Sequence, residues 1–157
     1  MEDLKSFYTS QQEKYQQELQ QVKKRLALLA TLRLSVFVGL VLGAYFFWGS
    51  TAIFVLLSLG IALFLYLVIR FSNVKRHKEY LQRLIAINTT ELDILARRFH
   101  HLPDGKEFLR PDHPYAQDLD LFGRGSFYQY ANRTTLRQGR EVFSDLLLDG
   151  YPKDIAK

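Results

Sequence analysis

The chain has 157 residues, a formal net charge of +5 and no cysteine. The missing cysteines exclude disulfides, thiolate metal sites and cysteine nucleophiles. The apolar residues are unevenly spread: between Leu34 and Ile69 there is no Asp, Glu, Lys, Arg or His, so the chain divides into a polar arm, a charge-free block and a charged C-terminal half.

Residues 1–33 read as an amphipathic helical arm, placed on the cytoplasmic side by the charge argument below. Tyr8, Tyr15, Leu19, Val22, Leu26 and Leu29 recur at heptad steps, and Gln, Glu and Lys, all good helix formers, fill the remainder.

Residues 34–69 read as a two-helix transmembrane hairpin, with helices over 34–48 and 51–69. Spanning a hydrocarbon core of ~30 Å takes ~20 helical residues. The second stretch meets that length. The first is short and must begin nearer Ala27, with Arg33 snorkelling toward the headgroups. Gly49 and Ser50 give the turn, and Tyr45, Phe46, Phe47 and Trp48 beside it suit an aromatic belt. The block begins too late and runs too long for a secretory signal. Gly39, Gly43 and Gly60 can allow close helix approach, and Gly39-x-x-x-Gly43 has the spacing of a helix-packing face. No ionisable group lies inside the block, which argues against a proton or ion pathway.

Basic residues flank the block on both sides: Lys23, Lys24, Arg25 and Arg33 before it, Arg70, Lys75, Arg76 and Lys78 after it. Both flanks, and both termini, should therefore stay cytoplasmic. Placed there, the charges set topology first, and the net positive charge is weak support for nucleic-acid binding.

Residues 70–102 form a second cytoplasmic arm, with Val74, Leu81, Ile85, Asn88, Leu92, Leu95 and Phe99 in the same rhythm. A hairpin brings the arms side by side, so an antiparallel coiled coil is expected, with Leu26 and Leu81 close enough to crosslink. Asn88 can fix register, or Asn88-Thr89-Thr90-Glu91 can cap a new helix. Leu102-Pro103-Asp104-Gly105 ends the arm in a turn.

Residues 103–157 read as an extended loop followed by helices. Pro111 and Pro114 keep its start extended. Ser126 caps a short helix through Ala131. A longer helix runs from about Leu136 to Leu148 with Phe143, Leu146 and Leu147 on its apolar face, stopped by Gly150 and Pro152. Asp154, Ile155 and Ala156 begin a further element. Asp112, Asp118 and Asp120 lack a calcium loop, and His100, His101 and His113 make a poor zinc set. Gly123-Arg124-Gly125-Ser126 lacks the lysine and spacing of a P-loop. No catalytic, cofactor-binding or metal residue is assigned.

Tyr115-Ala116-Gln117-Asp118-Leu119-Asp120-Leu121-Phe122-Gly123, then Ser126-Phe127, Asn132-Arg133-Thr134 and Gly139-Arg140, resembles the start of the core (lever) domain in MutS-type DNA mismatch-repair ATPases. Of the two, it more resembles membrane-anchored bacterial MutS-like proteins, which carry such a hairpin before that core. Where the wider family has T-x-T-x-x-G, this chain keeps Thr134 and Gly139 but has Leu136 at the second threonine position. The resemblance covers about Asp112 to Lys157, and by its pattern Tyr115, Asp118, Asp120, Phe122, Gly123, Asn132, Arg133, Thr134 and Gly139 are structural.

The resemblance implies an all-α fold: a membrane hairpin, coiled-coil-like arms and the truncated start of a MutS-like core. It implies an anchor and linker in the bacterial cytoplasmic membrane, non-catalytic by itself, with the lipid bilayer as partner. A full-length protein would add an ATPase domain with ATP and Mg²⁺, homodimerise through its core and ATPase domains, and take DNA as a partner. The end after Lys157 fits a fragment. Two other readings stand beside this one: a free-standing membrane adaptor acting through its arms, and a nucleic-acid module using Arg124, Arg133, Arg137 and Arg140.

Overall fold

In the computed structural model, residues 2–46 and 52–150 are described. The expected turn at Gly49 and Ser50, Phe47 and Trp48 of the aromatic belt, Pro152 and the element beginning at Asp154 lie outside them.

The described chain is all helical. Helix α1 spans Glu2–Phe46 and α2 spans Ala52–Leu95. Neither is interrupted at the polar-to-apolar boundaries, because Gln, Glu, Lys, Leu and Ala are all strong helix formers. A short 3₁₀ turn, Lys106–Phe108, precedes α3 (Phe127–Ala131) and α4 (Arg137–Asp149). The chain separates into two compact units, Met1–Thr89 and Thr90–Lys157.

In the first unit the contacts between α1 and α2 fall in antiparallel order. Gln12 Nε2 donates to Thr89 Oγ1 at 2.7 Å, Glu18 meets His77 at 3.0 Å, the Arg33 guanidinium lies 5.2 Å from the Phe71 ring centre, and Leu40 packs on Gly60. By this register Leu19 stands level with Leu81, and the expected neighbours Leu26 and Leu81 lie about two helical turns out of step.

The less exposed positions of α2 repeat at alternating steps of four and three: Ile53, Leu57, Gly60, Phe64, Leu67, Phe71, Val74, Lys78, Leu81, Ile85 and Asn88. On α1 the same steps join Val22, Leu26, Leu29, Arg33, Val36, Leu40 and Gly43. Each stripe thus runs unbroken from polar arm into apolar block, as a 3.5-residue repeat requires. Val22 and Leu81 are buried at 4% and 1% exposure. The close approach falls at Gly60, where a Cβ would run into the end of Leu40. Gly39 meets nothing within 4 Å, so of the expected Gly39–Gly43 pair Gly39 lies off the packing face, while Gly43 falls on the α1 stripe.

Asn88 starts no new helix. It is buried, and its Nδ2 donates to Leu84 O at 2.8 Å within the same helix. The second arm is shorter than expected, since α2 ends at Leu95 and Phe99 lies beyond it. Arg97 takes the left-handed conformation (φ 59°). Its amide donates to Ile94 O at 2.9 Å and that of Arg98 to Asp93 O at 2.8 Å. That is a Schellman end built without its usual glycine, so no residue type marks it.

The second unit has a small aromatic core of Ala116, Leu121, Phe122, Tyr128 and Leu148, flanked by Phe108, Phe143 and Leu147. Gly105 is needed twice over: its φ is +70°, and a Cβ there would strike the Tyr128 ring. Ser126 caps α3 by accepting the Gln129 amide at 3.2 Å. Leu148, not Leu146, supplies the buried contact of α4. The segment around Pro111 is a turn and not extended chain, with His113 N donating to Arg110 O at 3.1 Å. Proline at the second position of a four-residue turn has the φ that the turn requires.

Candidate functional site

Two features of the first unit carry chemistry a partner can read. One is an apolar band. Leu34, Phe37, Val41 and Leu42 on α1 are 51–62% exposed, and Phe54, Leu59, Leu65 and Ile69 on α2 are 55–74% exposed. Tyr45 and Phe46, at the far end of the band, are each 77% exposed. The heptad stripes face the partner helix, and among the described residues most other apolar side chains of the block are left outward. Both helices are long and apolar enough to cross a membrane, and their most apolar windows are only 0% and 12% buried. A core helix of a water-soluble domain would instead be covered. Exposed apolar patches above a few hundred Å² mark an interaction surface.

The second feature is the basic flank. Lys23, Lys24, Arg25, Arg70, Lys75 and Arg76 are exposed, and Arg33 and Lys78 are partly so. Among the described residues none of the eight forms an ion pair. The acidic side chain used in the paired arms is Glu18, which meets His77.

In the second unit the motif residues are brought together, and most are occupied in holding local structure. Tyr115 Oη donates to Leu148 O, and His113 Nε2 shares that carbonyl at 3.1 Å. Phe122 is in the core, Gly123 has φ +107°, and Asp120 has φ 47°. Asn132 Oδ1 accepts from Thr134 N at 2.9 Å and from Thr134 Oγ1 at 2.6 Å, an Asx turn that sets up α4. Thr134 in turn packs on Gly139, where a Cβ would sit 3.2 Å from it. Arg133 grips Glu91 with Nε at 2.6 Å and Nη2 at 3.1 Å, and its Nη1 donates to Tyr130 O at 2.6 Å. Asp118 is exposed.

Gln129 had no sequence signal and is the hub of this unit. Its Nε2 donates to Leu102 O at 2.6 Å and His100 O at 3.2 Å, and its Oε1 accepts Gly125 N at 2.8 Å. Tyr128 is fully buried, and its hydroxyl has no hydrogen-bond partner. Burial pushes its pKa above the ordinary 10.0, the Glu107 carboxylate adds to that, and Arg140 opposes it.

Asp112, Asp118 and Asp120 are all exposed, and among the described residues no group of three or more His, Asp or Glu side chains is placed to hold a metal. Of the four arginines considered for nucleic acid, Arg133 is committed to Glu91, Arg137 pairs with Glu141 at 2.8 Å and Arg140 with Glu107 at 3.8 Å.

Comparison of the chain with protein-family models, with curated proteins and with solved structures finds no match.

Proposed function

We propose that this chain is a membrane anchor and linker. In this reading α1 and α2 form a transmembrane hairpin in the bacterial cytoplasmic membrane with both ends cytoplasmic, and residues 103–157 begin a MutS-like core. The observation that carries the anchor is the outward apolar band concentrated in residues 34–69, bordered by cations that form no ion pair among the described residues. In water such a band is unfavourable by ~25 cal/mol per Å², and a bilayer removes that cost. The MutS-like part rests on the motif resemblance, in which the matching residues have structural roles. For a full-length protein the resemblance adds an ATPase with ATP and Mg²⁺, a homodimer and DNA.

The absence of native cysteines makes the test direct. Single cysteines at Ser10 and Thr135 should resist an impermeant maleimide in intact spheroplasts and react after permeabilisation, with the chain retained in alkali-washed membranes. Release by alkali, or labelling of either site in intact cells, would sink the anchor. The reading frame beyond Lys157 tests the tether: a G-x-x-x-x-G-K-[ST] loop supports it, and a stop codon in the native gene removes it.

A second reading, the free-standing adaptor, is favoured by one feature. The paired arms carry an open groove of about 500 Å³ lined by Gln16, Gln17, Leu19, Gln20 and Ile85 among others. A native stop codon would make it the leading reading.

A further inference from the structure

We infer that the cytoplasmic end of the paired helices is a two-tier receptor for anionic phospholipid headgroups. This rests on the membrane reading and goes beyond it, because an anchor as such has no lipid preference. By the register of the helix pair, Lys24 stands level with Arg76 and Arg25 with Lys75. Lys23 and Lys78 flank them, and these six form the upper tier. Arg33 and Arg70 form the lower tier, about 8–15 Å nearer the apolar band at 1.5 Å per residue. The polar regions add roughly 5–8 Å to each face of a bilayer, so the lower tier lies within the headgroup layer and the upper tier at or just beyond its outer edge, from where long Lys and Arg side chains reach back.

The lower tier sits where the band begins, beside Leu34 and Ile69. Arg33 lies over the Phe71 ring, its guanidinium carbon 5.2 Å from the ring centre, and none of its donors is taken by a carboxylate among the described residues.

Among the described residues no carboxylate pairs with this cluster, which Glu18 and Glu79 border. No Asp or Glu occurs from Leu19 to Lys78, and among the described residues none of the eight cations forms an ion pair. Elsewhere the chain pairs its arginines readily, as at Arg110, Arg133 and Arg137. The counter-charge is therefore external. A soluble polyanion can reach the upper tier, but the lower tier borders the apolar band, where phospholipid phosphates lie. Each cation near an anionic lipid surface contributes about a fivefold preference.

The test uses the full chain, purified in a neutral detergent, with equimolar phosphatidylglycerol and phosphatidylcholine, the bound lipids being counted by native mass spectrometry. Wild type should retain phosphatidylglycerol at least fivefold over phosphatidylcholine. Replacing Lys23, Lys24, Arg25, Lys75 and Arg76 by Gln should lower the ratio severalfold, the remainder resting on Arg33, Arg70 and Lys78, and Arg124→Gln should leave it unchanged. If that variant misfolds, K24Q with R76Q removes one level pair and should still lower the ratio severalfold. Equal retention of both lipids by wild type, or an unchanged ratio in the variants, would overturn the proposal. So would displacement of phosphatidylglycerol by a 20-nucleotide single strand, which would assign the upper tier to nucleic acid. Alkali resistance measured on the same chains separates the two ideas: a wild type that stays in the membrane without lipid preference keeps the anchor and loses the receptor.

Discussion

Leu59→Arg separates a membrane surface from a water-facing one. Leu59 is 74% exposed, and it lies eleven residues before Arg70. At 1.5 Å per residue that is about 16 Å, the middle of a ~30 Å hydrocarbon core. In water, a substitution at so exposed a helix position changes stability by about 0.5 kcal/mol or less. In a bilayer the loss of Leu costs ~0.5 kcal/mol and the gain of Arg ~3 kcal/mol, about 3.5 kcal/mol together. At 1.4 kcal/mol per tenfold, insertion of α2 shifts by a few hundredfold. Leu63 lies one turn further on and is 49% exposed; adding Leu63→Arg should take α2 out of the membrane altogether. The assay is graded insertion, scored by glycosylation acceptors placed on either side of α2, with Leu59→Ala as control. Unchanged insertion of the double variant would refute the reasoning, because it would mean that this face never meets lipid.

Three further outcomes are expected. Cysteines at Leu19 and Leu81 should crosslink within one chain faster than cysteines at Leu26 and Leu81; equal rates, or crosslinks only between chains, would contradict the register. Tyr128→Phe should keep or raise stability at neutral pH, since its buried hydroxyl lacks a partner and a buried unsatisfied group costs about 1–3 kcal/mol. The folded pKa of Tyr128 is raised above 10.0, so above that pH the unfolded chain ionises first and stability falls. The urea midpoint of the C-terminal unit, followed by a fluorophore at Thr135→Cys, should drop more steeply above pH 10 in the wild type than in Tyr128→Phe; identical slopes would refute this. Arg133→Lys should lower the same midpoint by the equivalent of about 1–2 kcal/mol, because Lys cannot reproduce the two-pronged grip on the part-exposed Glu91. An unchanged midpoint would show that the grip contributes nothing.

Much of this protein is written locally. The charge-free block, the basic flanks and the heptad stripes are periodic or compositional, and the two long helices follow from them. Ser126 and Gly150 announced the start of α3 and the end of α4 because each acts on its own backbone. The end of α2 was hidden because Arg97 does what glycine ordinarily signals. Tertiary packing decided the rest. A heptad stripe says that α1 and α2 each have a contact face, but any seven-residue slip preserves it. The close approach of Leu40 to Gly60 and the bond from Gln12 to Thr89 show which register is adopted. Gln129 looks like any polar residue in sequence, because its role exists only once the carbonyls of His100 and Leu102 come within reach of α3. Leu148 displaces Leu146 as the buried residue of α4 for a similar reason: the direction of that helix's apolar face is set by where the aromatic core lies, and no local pattern contains that information.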